Sequence, residues 1–539
     1  MKRIFLSKLI VSLFFLLILC FSLLILKTPA LAQGTTYYVS ITGNDANLGT
    51  QTQPWKTIQR ANNILIAGDT LYIRGGTYDI QTQDNHIAPA NSGTATNYIT
   101  YKNYPGENVI IQGHYPTVGD WFDGILIDGK SYIVIDGFTI RGFHAGVKCQ
   151  APGHHIVVRN NILEFNSEEG FSAVNASAGT TQQSCDYLTV ENNVMRSNGY
   201  RYDTGLPATG KYEGWGSGIS INAHENPYVF DTDFSYFHSY IRRNKIYHNF
   251  DGTGGNYTPG ASNHTDGNGI ILDMTGNMGP LLIENNVIFD NGGTCIHAYG
   301  SQNAWIVGNT CYQNQTDTLF AVSSSIRAEI AAFPLSSPYV QSNDIHVINN
   351  IVYARPDRQM NFFTEIPAGG LEVANNLWFG GLSRPVYTVF GTNPIQSDPL
   401  FVNPSADPAV ASFRLSASSP AMDKGALPSI VKLGETQKVD FDGTTRPQGA
   451  GYDIGAYEYA GVIPTTTPTI DQCPNGKVGN LDCDTGGKIN QTDLNWFIAS
   501  WSPVGPVPTP IPGNSTSDLN SDSKVDEKDL TILLRNWRP

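Results

Sequence analysis

The sequence predicts a right-handed parallel β-helix, and two observations carry that prediction. A nine-residue frame returns eight times: I-D-G-F-T-I-R-G-F at 135, V-R-N-N-I-L-E-F-N at 158, V-E-N-N-V-M-R-S-N at 190, I-R-R-N-K-I-Y-H-N at 241, I-E-N-N-V-I-F-D-N at 283, I-V-G-N-T-C-Y-Q-N at 306, V-I-N-N-I-V-Y-A-R at 347 and V-A-N-N-L-W-F-G-G at 373. Its fourth position is Asn in seven of the eight copies: Asn161, Asn193, Asn244, Asn286, Asn309, Asn350 and Asn376. Within each copy, apolar residues that are mostly β-branched or aromatic alternate with polar ones, the pattern of strands and not of helices. A unit this short cannot bury its own apolar face, so copies must stack.

Consecutive copies start 23, 32, 51, 42, 23, 41 and 26 residues apart. The base coil is therefore near 23 residues, and the larger values are one coil plus an insertion. Parallel coils stack at roughly 4.8 Å, and an Asn at one turn of each coil can bond backbone groups above and below. The repeated Asn is thus expected to be a structural ladder.

An open solenoid exposes unpaired edges and apolar core, so both ends need covering. Residues 37–50, 54–65 and 68–78 read as a strand with a turn cluster, an amphipathic helix and a further strand pair. At the other end stand S-D-P-L-F-V (397–402), S-P-A-M-D-K-G-A (419–426), D-F-D-G-T-T-R-P (440–447) and D-I-G-A-Y-E-Y (453–459). The first stretch resembles the N-terminal cap of secreted proteins of the pectate-lyase-like superfamily. The second resembles the segment that closes bacterial surface β-helices. The resemblance covers residues 35–460 and implies the fold more than the chemistry. The N-T-D, G-H-G and R-I-K set of polygalacturonases and the D-P-H of alginate epimerases are absent.

The 539 residues suit a solenoid, which grows in one dimension without the size limit of a globular core. A net charge of −14 argues against a nucleic-acid partner. Residues 1–32 carry Lys2, Arg3 and Lys8, an apolar run from Leu9 to Leu26, and an A-L-A ending at Ala32. They read as a signal peptide, with an uncleaved membrane anchor as the alternative. The expected location is extracellular, secreted or attached to the cell surface. Six cysteines follow the segment, and the sequence neighbours Cys149 with Cys185, Cys295 with Cys311 and Cys473 with Cys483 are plausible disulfides in an exported chain.

Residues 33–460 are assigned to the β-helix, 461–472 to a Pro/Thr linker, and 473–539 to a small helical module. In that module Asp482, Asp484, Lys488, Asn490 and Asp493 precede one short helix, and Asp518, Asn520, Asp522, Lys524, Asp526 and Asp529 precede another. Oxygen side chains at loop positions 1, 3, 5, 9 and 12, with a backbone carbonyl at 7, are what Ca²⁺ needs. The lysines stand at position 7, where only the carbonyl counts, and Gly486 leaves position 5 of the first loop without a side-chain ligand. The pair resembles type I dockerin, an EF-hand-like module, which implies calcium and a cohesin-bearing scaffold as partner.

A further strand precedes each Asn frame: D-G-I-L-I-D (123), A-G-V-K-C-Q (145), E-G-F-S-A-V (169), S-G-I-S-I-N (217), N-G-I-I-L-D (268) and T-C-I-H-A-Y (294). Alternation sends the first, fourth and sixth positions outward. Long insertions flank these coils, as they do on the working face of a solenoid. The candidate catalytic residues are Glu169, Asp273, Asp266 and Glu213 as carboxyls, with Lys211, His264 and His297 as bases. A hydrolase would pair two carboxyls, for which Glu169 and Asp273 stand two rungs apart, with Glu213 and Asp266 as alternatives. A lyase would set a Lys or His base beside a cation, for which Asp251, Asp266 and Asp273 could be Ca²⁺ ligands. The expected function is cleavage of a polysaccharide by one of these routes. The rival is a non-catalytic glycan-binding surface protein or adhesin.

Overall fold

The computed structural model describes residues 34–460 apart from 83–85, 115–121, 175–184, 201–214, 223–231, 252–263, 265, 276–277, 319–327, 334–341, 357–359, 382–389, 427–433 and 435–436. The chain divides into two compact units, Met1–Tyr459 and Ala460–Pro539. The proposed leader at 1–32, the linker, the calcium loops, Cys473 and Cys483 lie outside the described residues. Among the described residues, no helix is long and apolar enough to cross a membrane.

Among the described residues of the first unit, three parallel sheets have eleven, ten and eight strands. One coil shows the path: Ile125–Asp128 lies in the third sheet, Ile133–Asp136 in the first, Phe138–Arg141 in the second, and Val147–Gln150 returns to the third. Each strand pairs with its counterpart in the next coil, so chemistry on one coil is stacked on chemistry of its neighbours. Inward residues such as Ile127, Cys149, Ala173, Ile221, Leu272 and Ala298 fill the core and are fully buried.

The Asn frame spans the corner between the first and second sheets. Its third residue takes a left-handed conformation in every copy, with φ from 54° at Arg243 to 91° at Gly137. That geometry favours Asn and Gly, and the frame supplies Asn or Gly in all copies but one. The fourth residue turns inward: Asn193 accepts the backbone N–H and the side-chain amide of Asn161 at 3.0 and 3.1 Å, and donates to the Val158 carbonyl at 2.9 Å. This repeats from Asn161 to Asn376. A second ladder, which the fourth-position reading overlooked, runs along the corner into the third sheet through Asn166, Asn198, Asn249, Asn291 and Asn314. Both oxygens of the buried Glu329 accept hydrogen bonds from Asn314 and end it.

The two ends depart from expectation. Residues 54–65 hold only one helical turn, Gln59–Asn62. Asn62 and Asn63 are poor helix formers, and no side chain caps the turn. The segment plugs the coil by burying Trp55, Ile58, Ala61 and Leu65. The segment after 397 was expected to close the far end, but it lies along the outer face of the second sheet. Phe401, Phe413, Leu415, Ile454 and Tyr457 pack with Tyr247, Val287, Phe289, Tyr312, Ile351 and Leu377. The outward residues of that sheet are apolar and aromatic in the later coils, and a lateral cover removes them from water. Cys149 is joined to Cys185 and Cys295 to Cys311.

Candidate active site on the third sheet

The third sheet carries three outward columns. The register aligns Leu126, Lys148, Ser172, Ser220, Ile271 and His297 in one column, and Asn222, Asp273 and Tyr299 in a second. The residues two before each strand's first inward position, Asp123, Ala145, Glu169, Ser217, Asn268 and Thr294, form the third. The sequence insertions fall after Tyr200, Asp251 and Asp317, which precede strands of this sheet, and after Val174, Asn222 and Phe333, which end or follow its strands. The corner of the first Asn ladder admits no insertion.

Three groupings lie on this face. In the first, His144 bridges two carboxylates, Asp123 at 3.3 Å and Glu168 at 2.9 Å, and Lys148 Nζ is 3.8 Å from Asp123. Asp123, Glu168 and Glu169 are each under 10 % exposed. Burial alone would pull the His144 imidazole down, but Glu168 and Asp123 outweigh it and push it up to about 10. Burial would likewise lower Lys148, and the charges of Asp123, Glu168 and Glu169 outweigh that and raise it. Two cations face three carboxyls in a poorly hydrated site, so charge balance leaves one carboxyl protonated. That one is Glu169, raised well above the carboxylate range by its burial and by Glu168.

In the second grouping, His264 is hydrogen-bonded to Asp317, and the Asp266 backbone N–H donates to the buried Asp251 carboxylate at 3.2 Å. Burial lowers His264, and Asp317 and Asp251 overcome this and raise it above the usual imidazole range. In the third, Asn222 donates to Asp273 Oδ2 at 3.0 Å, and Asp273 Oδ1 has no partner among the described residues. Burial pushes Asp273 up to about 7 and His297 down to about 4.

Buried polar atoms without a partner among the described residues recur along the face: Ser172 Oγ, Asn268 Nδ2, Thr294 Oγ1 and Asp273 Oδ1. Such atoms in a folded protein call for a water or a ligand.

Several sequence-based pairings are not realised. Glu169 and Asp273 are two rungs apart but at opposite ends of their strands, because Glu169 shares the column of Asn268. Five residues along the strand at about 3.3 Å each, combined with two rungs at about 4.8 Å, separate them by close to 20 Å, beyond any glycosidase spacing. Asp266 precedes the strand that Asp273 ends, so one Ca²⁺ cannot take both. Among the described residues, the one group of three potential ligands is Cys295, Cys311 and Glu329, whose cysteines are in a disulfide. Asp251, Asp266 and Asp273 do not form such a group among the described residues. Lys211 and Glu213 lie outside the described residues. His144, Glu168 and Lys148 were missed as site residues; the first two sit in corners, where strand alternation assigns no direction.

The two shifted groups of the third grouping act on stability in opposite directions. Asp273 binds its proton more tightly folded than unfolded, so its contribution falls as pH rises from about 4 to about 7. His297 stays neutral while its unfolded counterpart protonates, so its contribution rises with pH from about 4 to 6.5. Asp273→Asn removes the first alone. We expect the variant to gain on the parent by about 2–4 kcal/mol between pH 4 and pH 8 in urea unfolding. An equal difference at both pH values would contradict the burial of this carboxyl.

Residues 37–329 match the family described as Pel9A-like, right handed beta helix region. The chain is 28% identical over 242 residues to the uncharacterized protein YwoF of Bacillus subtilis, covering 38% of this chain and 48% of that protein. It is 43% identical over 76 residues to the pectate lyase PEL9 of Emericella nidulans, covering 14% and 18% of the two chains. The matches thus span about half of the first relative and under a fifth of the second. The solved structure of pectate lyase Pel9A superposes with a TM-score of 0.49 at 18% identity, covering 80% of this chain and 97% of that one. With more than half of its residues matched, the chain belongs to the Pel9A-like right-handed β-helix family.

Proposed function

We propose that the protein is an exported enzyme that cleaves a polysaccharide laid along the outer face of the third sheet. One observation carries this reading. Buried polar atoms without a partner among the described residues repeat along that face, and a hydroxylated chain threaded past the rungs would complete their hydrogen bonds. Protonated, ionised and neutral titratable groups stand on the same face, as acid–base chemistry requires. The stretch shared with a pectate lyase supports the substrate class. The C-terminal pair of loops would then serve as a calcium-dependent tether to a cohesin-bearing scaffold.

The full chain is to be assayed on polygalacturonate, alginate and xylan, following both unsaturated products by ultraviolet absorbance and new reducing ends. Cleavage of at least one is expected, and chelation is expected to lower the melting temperature without abolishing it. Binding to these polymers with no cleavage by either readout would sink the enzyme reading in favour of an adhesin.

A further inference from the structure

We propose that the polysaccharide is uncharged and that it lies along the corner where the third sheet passes into the first. The inference rests on the functional reading above and adds the class of substrate and its track. The last outward column of the third sheet, Asp128, Gln150, Val174, Asn222, Asp273 and Tyr299, is in register over six consecutive rungs. All six residues keep solvent-exposed surface, whereas Ser172, Ser220, Ile271 and His297 of the neighbouring column are each under 10 % exposed. Five intervals of about 4.8 Å make a strip roughly 24 Å long, against which a polymer can lie without opening the core.

A ladder of aromatic rings borders this strip across the corner. Tyr132, His155 and Tyr187 stand side by side at the start of the first-sheet strands of three successive coils, and each is partly exposed. Their rings stack at 4.7 and 4.3 Å, and His238 continues the stack at 4.3 Å. Tyr187 and Tyr236 share a hydrogen bond between their hydroxyls at 2.8 Å, and Tyr236 is 39 % exposed. Tyr132, His155 and Tyr187 hold φ of 60°, 55° and 52°, a left-handed conformation that bulky side chains rarely take and that gathers at binding sites. Carboxyl and amide groups on one side meet sugar hydroxyls, and rings on the other meet the apolar C–H surface of the sugars.

Charge selects the polymer. The strip carries two carboxyls, Asp128 and Asp273, and the cations around it are matched. Lys148 stands 3.8 Å from Asp123, His144 lies between Asp123 and Glu168, and His238 is paired with the buried Asp186 at 3.0 Å. Burial, and then His155, hold His154 down to about 4, so it is uncharged at neutral pH. Lys130 lies two residues after Asp128, at the first rung alone. A polyuronate would lay one carboxylate per sugar against Asp128 and Asp273 in a partly desolvated track, where like charges repel strongly. The net charge of −14 adds to that repulsion. A neutral chain brings hydroxyls alone and meets no such penalty.

The test is binding of the full chain, in the cold, to immobilised xylan and β-glucan and to immobilised polygalacturonate and alginate. It is run at pH 8, where Asp273 is ionised, with chelator and again with calcium. At least one neutral polymer should bind about tenfold or more tightly than either polyuronate under both conditions. Tyr187→Ala should weaken neutral binding about tenfold, and Tyr187→Phe, which keeps the ring, should bind as the native chain does. Asp128→Arg, at an exposed position, should bind polygalacturonate severalfold more tightly than the native chain. A polyuronate bound as tightly as any neutral polymer, with or without calcium, would overturn the substrate class. Native affinity in Tyr187→Ala, loss in Tyr187→Phe or no gain in Asp128→Arg would overturn the track. Each of these results leaves the functional reading standing, whereas binding to none of the four polymers would overturn both.

Discussion

Replacing Asn244 by Ala should lower the unfolding free energy of the solenoid by about 4 kcal/mol, although the side chain touches no solvent-facing group. Its amide donates to the Val190 carbonyl at 2.8 Å and to Asn286 Oδ1 at 3.0 Å. Its Oδ1 accepts both the backbone N–H and the amide of Asn193, each at 3.0 Å. Alanine leaves those buried groups unpaired, and each stranded donor or acceptor costs about 1–3 kcal/mol. Because each coil contacts only its neighbours, the loss sits at one internal interface and should broaden the denaturation curve. Urea unfolding checks this, and a loss below about 1 kcal/mol would mean the ladder is not what holds the coils in register.

Arg446→Ala should be as costly but should release a different part of the molecule. The side chain is buried in the lateral cover, bonded to the carbonyls of Asp453 at 3.0 Å and Gly455 at 2.7 Å and paired with Glu458 at 3.1 Å. Both members of that pair have fully buried side chains. Removing one partner of a buried pair strands the other charge, at about 3–5 kcal/mol. The cover is laid against the second sheet, through apolar contacts of Phe401, Phe413, Ile454 and Tyr457 with the aromatic column and hydrogen bonds such as those of Asn349 with Ala426 and Asn285 with Val439, and is not wound into the coils, so it should open before the coils do. Hydrogen exchange should speed up across residues 397–459 while the Asn ladders stay protected. Unchanged exchange in the cover would show that the pair is not its clasp.

The coils were legible because their signals are local. A nine-residue frame with a left-handed third residue and a buried fourth sets the corner, and strand alternation then fixes which residues face outward; the observed register follows those columns. The second ladder was visible as Asn at the ninth position, but without a partner corner in mind its role could not be read. The lateral cover could not be read either, because its contacts join Phe413 to Phe289 and Tyr312 across more than a hundred residues of chain. The candidate site was half legible. Glu169 and Asp273 were found as outward carboxyls, yet rung counting ignored their places along the strand. His144 and Glu168 sit where neither period applies, and only folded geometry brings them to Asp123 and Glu169.

The central claim, that substrate lies along the third sheet, is tested most directly by hydrogen exchange of the full chain with and without an oligosaccharide of the cleaved polymer. Protection is expected along the rungs of this face, around Glu169–Val174, Ser217–Asn222, Asn268–Asp273 and Thr294–Tyr299. Protection confined to the outer face of the first sheet, with these rungs unchanged, would contradict it.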